Sequence, residues 1–175
     1  MKSVKRVVLI GGPSTGKTTL IHALKQHGEH VHPECSREIT DEYRERGVQQ
    51  LFVTDPHAFS ALVIEKRIDA FAKAKYGINY YDRGIPDVLA YQDHVGAQSP
   101  YCWHRACETH RYDQVFHLPY WREIHTQDKQ RYEDEHLSQQ LDHRLLQTYE
   151  SLGYAIVSVP FASVSERLQF ILDRV

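Results

Sequence analysis

The chain has 175 residues, 41% of them apolar, and a formal net charge of −2, which fits one domain around one sizeable core. No basic pole invites nucleic acid, and no apolar stretch approaches the roughly 20 residues of a membrane span. Three cysteines form no disulfide framework, so a reducing compartment, the cytoplasm, is the expected location.

Apolar runs and helical periodicities alternate along the chain. Arg6 to Ile10 reads as a first strand, its apolar run too short for the core of a signal sequence. Thr18 to Gln26 is a helix, Glu29 to Pro33 a short strand, and Ser36 to Arg46 a charged helix. Thr54 or Asp55 caps the next helix, with Pro56 in its first turn. That helix carries Ile64, Ile68 and Phe71 on one face and runs to about Tyr76, where Gly77 stops it. Ile78 to Asp82 is a third strand, Ile85 to His94 a helix, Tyr101 to His110 another, and Asp113 to Leu118 a fourth strand. Leu137, Leu141, Leu145 and Tyr149 form the apolar stripe of a long helix that ends at Gly153. Tyr154 to Val159 is a fifth strand. Ser163 and Glu166 make a capping-box pair before a last helix with Leu168, Ile171, Leu172 and Val175 inward. Strands separated by helices imply a parallel sheet with right-handed crossovers and helices on both faces.

The connection from strand one to its helix reads Gly11, Gly12, Pro13, Ser14, Thr15, Gly16, Lys17, Thr18, Thr19. Gly11, Gly16, Lys17 and Thr18 satisfy G-x-x-x-x-G-K-[ST], the Walker A or P-loop pattern, in the strand-to-helix setting that it requires. Glycines let backbone N–H groups turn inward as an anion nest, and the helix start adds its own free N–H groups and dipole. Lys17 can reach the β- and γ-phosphates and the Thr18 hydroxyl can ligate Mg²⁺. A Thr19 hydroxyl is placed for the α-phosphate. The expected ligand is therefore a nucleoside triphosphate, ATP, with Mg²⁺. The guanine signature Asn-Lys-x-Asp does not occur.

Which reaction follows depends on the other strand ends, because ligands of parallel α/β sheets lie beyond them. After strand two, Glu34 can accept a proton from an attacking hydroxyl, and Arg37 can pair with an anionic or polar acceptor. Acids are equally at home at a helix start, which is the simpler reading of Glu34. After strand three, Asp82 stands where a Walker B acid holds Mg²⁺, Arg83 beside it can reach the acceptor or the transferring group, and Gly84 permits a close turn. The polar segment from about 120 to 135 carries Arg122, Lys129 and Arg131. It reads either as a solvated connection or as a mobile lid that brings charge and excludes water. Cys102, His104, Cys107 and His110 lack a zinc-site spacing and read as a helix with exposed histidines around a packed Trp103 or Cys107.

Four stretches, "GGPSTGKTTL", "PECSREI", "YYDRGIPDVLAY" and "GYAIVSVPFASVSERLQFIL", together resemble an AAA-type P-loop family. That family includes the nicotinamide riboside kinase domain of bacterial NAD-regulator proteins. More distantly the chain is similar to deoxynucleoside and thymidylate kinases. The resemblance implies a P-loop kinase-like fold with strand order 2-3-1-4-5. It implies Glu34 as a base, Asp82 and Arg83 as an acid–arginine pair, and Arg122 and Arg131 as lid residues. The expectation is a P-loop phosphotransferase with an unidentified, nucleoside-like small-molecule acceptor. In it Lys17, Glu34, Arg83, Arg122 and Arg131 serve catalysis, Thr18 and Asp82 the metal, and Glu34, Arg37 and Arg83 the acceptor. The alternative is a P-loop switch or interaction module that has no use for a base at Glu34.

Overall fold

The computed structural model describes residues 3–48, 50–125 and 135–175. Its elements run β1 (Val4–Ile10), α1 (Lys17–Gln26), β2 (His30–His32), α2 (Ser36–Glu45), α3 (Leu51–Thr54), α4 (Pro56–Ala72) and β3 (Gly77–Asp82). There follow α5 (Asp87–His94), α6 (Tyr101–Thr109), β4 (Gln114–His117), α7 (Arg122–His125), α8 (Glu135–Ser151), β5 (Ile156–Ser158) and α9 (Val164–Leu172). The five strands form one sheet in the order β2-β3-β1-β4-β5, every neighbouring pair parallel.

Strand β1 is central, and its consecutive Val7, Val8, Leu9 and Ile10 are all fully buried, as a strand covered on both faces requires. Alternation divides them. Val7 and Leu9 join Tyr80, Phe116, the α1 residues Leu20, Ile21 and Leu24, and Ile171 of α9. Val8 and Ile10 join Tyr81, Tyr112, Val115 and Tyr149 on the other face. A further cluster packs Ile39, Val63, Ile64, Val88, Trp103 and Cys107 from the intervening helices. No helix among the described residues is long and apolar enough to cross a membrane.

Local signals act where the sequence places them, with some changes of boundary. Asp55, not Thr54, caps α4 by accepting the Ala58 N–H at 2.9 Å. Leu51–Thr54 instead forms the short helix α3. Helix α4 ends at Ala72, short of the expected Tyr76. The Ser163–Glu166 capping box is present in both directions. Strands β2 and β5, at the two sheet edges, keep only three paired residues each, because each has a ladder on one side only. Leu141, Leu145 and Tyr149 face inward as the stripe predicts, but Leu137 is exposed and Ser138 is buried in its place. The first turn of α8 has left the apolar core and lies against the loop after β1, where a buried leucine has no apolar partner.

Candidate active site

Residues 11–16 link β1 to α1 at the carboxyl end of the central strand. Gly11 has φ of 147° and Gly16 of 85°. A Cβ on Gly11 would overlap the Leu118 carbonyl oxygen, so a side chain is excluded by space as well as by backbone. Ser14 also adopts the left-handed region, at φ 56°. Thr15 closes the loop on itself through Oγ1 to the Gly12 carbonyl at 3.1 Å. The Lys17 ammonium is buried inside this loop, donating to the carbonyls of Gly11 and Gly12 and to Thr15 Oγ1. Burial, with Arg83 nearby, lowers its pKa to about 7.

At the mouth of the loop Thr18 Oγ1 donates to Asp82 Oδ2 at 3.1 Å. Asp82 ends β3 and sits beside Leu9 across the ladder. Burial pushes its carboxyl up, against the pull of Lys17 and Arg83. This hydroxyl and carboxylate are hard oxygen donors of the type Mg²⁺ takes.

Arg83 has φ 74°, a strained conformation for a non-glycine residue. Its turn is pinned from several sides. Gly84 N–H donates to Asp87 Oδ2 at 2.9 Å, Ile85 N–H to the Tyr112 hydroxyl at 3.2 Å, and Arg67 Nη1 to the Gly84 carbonyl at 2.8 Å. Tyr149 OH donates to Asp87 Oδ2 at 2.7 Å. The reward of this bracing is the direction of the Arg83 guanidinium, which meets Glu34 Oε2 with Nε and Asp87 Oδ1 with Nη1 at 3.5 Å. Glu34 Oε1 is held by Arg67 Nη2 at 3.3 Å and by the Ser36 N–H at 3.2 Å. Burial pushes the Glu34 carboxyl up, but Arg67 and then Arg83 outweigh it and bring the pKa down to about 2. Glu34 is thus held as an anion between two arginines.

Pro13 to Thr19, Glu34, Arg37, Asp82 and Arg83 together line one cleft of about 990 Å³. Beyond the β1–α1 loop, the wall combines Phe59, Val63, Val88 and Tyr91 with Arg37, Thr40 and Arg44 of α2. Trp121, Val164 and Arg167 contribute another part, where Trp121 and Phe161 rings lie 5.3 Å apart and Arg167 Nη2 donates to the Thr15 carbonyl at 2.9 Å. Ser14 Oγ, Arg67 Nε and Arg167 Nε are buried without a hydrogen-bond partner among the described residues.

The sequence-selected residues Lys17, Thr18, Thr19, Glu34, Arg37, Asp82 and Arg83 therefore come together. Gly11 and Gly12 are not lining residues. They shape the loop, and the Gly12 N–H is taken by Asp142 Oδ1 at 3.0 Å. Arg122 is exposed at the start of α7 and is not among the described residues lining the cleft. Lys129 and Arg131 lie outside the described residues. Reading the sequence misses Arg67, Asp87, Asp142 and Arg167. Asp87 alone had a visible signal, an acid four residues after Arg83 on a helix start.

A family model described as an AAA domain matches residues 6–167. No curated protein sequence matches significantly. Among solved structures, NadR protein in complex with NR is similar with a TM-score of 0.75 at 18% identity, over 97% of this chain and 50% of that one. Deoxyadenosine kinase from M. mycoides with dCMP and dCDP gives 0.69 at 12% identity, over 97% of both chains. Thymidylate kinase from Ehrlichia chaffeensis gives 0.65 at 12%, again over 97% of both. The fold is that of P-loop nucleoside and nucleotide kinases.

Proposed function

The chain belongs to this AAA-domain family, and we propose that it is a phosphotransferase that moves the γ-phosphoryl group of ATP, with Mg²⁺, to a small hydroxyl-bearing acceptor of nucleoside-like size. The observation that carries the reading is Glu34, fixed between Arg67 and Arg83 in the same cleft as the phosphate loop. A loop that only binds a triphosphate needs no carboxylate held so firmly beside it, and an acceptor hydroxyl, unlike a bare water, also uses the rest of the cleft wall.

Lys17 leaves the Gly11 and Gly12 carbonyls for the phosphates, and the N–H groups of the loop cradle them. Thr18 and Asp82 would hold Mg²⁺, which would supply positive charge to offset the negative charge that develops on the phosphates. Glu34 accepts the hydrogen bond of the acceptor hydroxyl and so orients its oxygen for in-line attack. The new bond joins that oxygen to the γ-phosphorus while the bond from phosphorus to the β–γ bridging oxygen breaks, and ADP departs. The proton goes to Glu34. With a pKa of about 2 Glu34 is a weak base, which suits a loose transition state where the hydroxyl stays protonated until late. Arg83 faces the transferring group, and Arg37, exposed on α2, serves the acceptor. The lid role of Arg122 and Arg131 remains part of the proposal.

The test is a transfer screen with ATP and Mg²⁺ over nucleosides and vitamin-like alcohols. Glu34→Gln should leave binding of an ATP analogue nearly unchanged and cut transfer by roughly 10²-fold, the low end of the general-base range. Transfer at the wild-type rate in that variant, or no acceptor at all, returns the protein to the switch reading.

A further inference from the structure

The most unusual hydrogen bond of the phosphate loop comes from outside it. Asp142, two turns into α8 and buried, accepts the Gly12 N–H through Oδ1 at 3.0 Å. His117, at the end of β4 and also buried, meets both oxygens of the same carboxylate through Nε2 at 3.0 Å. The backbone closes in as well, since a Cβ on Gly12 would sit 3.0 Å from the Ser138 carbonyl oxygen of α8. Resting on the reading of the loop as a triphosphate site, we propose that Asp142 is a positioning residue of the donor site, which makes α8 part of the nucleotide-binding apparatus.

Three observations carry this. First, a carboxylate beneath an anion nest opposes the ligand's charge, so its presence needs a purpose that repays the repulsion. The directed bond to Gly12 is that purpose, and the His117 N–H offsets part of the carboxylate's charge. Second, Gly12 is gripped on both sides in this state, its N–H by Asp142 and its carbonyl by Lys17 and Thr15 Oγ1. When Lys17 turns to the phosphates, the carbonyl keeps the neutral Thr15 hydroxyl, and Asp142 stays as the charged anchor that reaches this residue from outside the loop. Third, the same helix reaches the acceptor side. Tyr149 lies seven residues on from Asp142, two turns along the same face, and its hydroxyl holds Asp87, which holds the Gly84 turn. One rigid element thus spaces the donor loop from the Arg83 turn.

The experiment titrates a fluorescent ATP analogue with Mg²⁺ into the wild type and three variants, with Tm recorded for each. Asp142→Asn retains an acceptor for Gly12 and removes the charge, so its affinity should stay within about threefold of the wild type. Asp142→Leu removes the acceptor and should bind at least tenfold more weakly, the loss of one buried charge-assisted hydrogen bond. Cys107→Ser, a destabilising change in the packed cluster under α6, should lower Tm and leave affinity unchanged. If Asp142→Leu binds like the wild type, or Asp142→Asn binds as weakly as Asp142→Leu, the assignment is wrong. Should Asp142→Leu fail to fold, His117→Gln replaces it, since it loosens the carboxylate without touching the loop. A severalfold weaker affinity supports the proposal, and an unchanged one overturns it. If the wild type itself binds no analogue, the triphosphate reading fails first, and the two failures are separable.

Discussion

Replacing Glu34 with glutamine should change how the stability of the protein responds to acid, whatever the acceptor proves to be. The carboxyl titrates near 4.5 when free and at about 2 in the fold. The folded state therefore binds fewer protons than the unfolded chain in the interval between those values. Stability from this group is fully present above pH 4.5 and is lost as pH falls through about 2. At 1.36 kcal/mol for each tenfold change in proton affinity, the contribution is about 3 kcal/mol. The same order follows from removing one partner of a buried ion pair, about 3–5 kcal/mol, since Glu34→Gln strands Arg67 and Arg83 beside Asp87 alone. Urea unfolding, followed by the fluorescence of Trp103 and Trp121 from pH 2.5 to 7, measures both. The variant should be about 3 kcal/mol less stable at pH 7, and the two curves should converge as the solution is acidified. A gap that stays constant with pH, or no gap at pH 7, would mean that the two arginines do not hold Glu34 as an anion, and the site's electrostatic argument fails with it.

Lys17→Met should abolish most affinity for an ATP analogue in a fluorescence titration and leave Tm at or above the wild-type value, since the ammonium is buried at a desolvation cost. In the wild type, affinity should fall severalfold between pH 7 and 8.5 as Lys17 loses its proton, and Lys17→Arg should flatten that dependence. Gly84→Ala would drive a methyl group into Tyr149 and Tyr112; urea denaturation should show a loss of about 1–3 kcal/mol. Arg37→Ala, at an exposed position, should leave Tm within about 1 °C while raising KM for the acceptor in a transfer assay.

The loop side of the cleft was legible because its residues are contiguous in the sequence. Gly11 to Thr19 is a single loop, and Asp82 and Arg83 follow an apolar strand that alternation makes visible. The helices that hold this machinery were harder to read. Arg67 stands between Ile64 and Ile68, in the middle of an apolar face, and nothing in the local pattern tells whether its guanidinium turns to water or to Glu34, 33 residues away. Asp142 is adjacent to Leu141 in a helix whose polar residues read as the solvated face, and its role appears only once β4 brings His117 alongside. Leu137 failed for the converse reason. Periodicity extends a stripe to the end of a helix, but the core stops where the helix passes over the phosphate loop. The edge strands β2 and β5 were over-extended because sequence alternation reports the tendency to extend, while pairing is limited by a neighbour on one side only. Strand order came from the resemblance, since hydrophobic pattern says nothing of which parallel strand lies beside which.

What Arg67 does to Glu34 separates a kinase from a switch. Burying a carboxylate between two guanidiniums is no gain in stability over apolar packing of the same volume, so the trio calls for a functional reason. In a kinase that reason is orientation, and it leaves a mark on the pH profile of transfer. The acid limb of kcat/KM reports the base of the free enzyme. With Glu34 held at about 2, no limb assignable to it should appear above pH 4 in the wild type. Arg67→Met removes the largest of the charges that lower the carboxyl, so the limb should move up toward the ordinary carboxylate range. Arg67→Lys keeps the charge, and although it gives up the forked contact to Glu34 and the Gly84 carbonyl, it should keep the limb low. Both variants lose similar bracing of the Arg83 turn, so a purely structural role for Arg67 would lower kcat in each without separating their profiles. A limb that rises in Arg67→Met and not in Arg67→Lys identifies Glu34 as the group that meets the acceptor hydroxyl; coincident profiles would remove it from the chemistry.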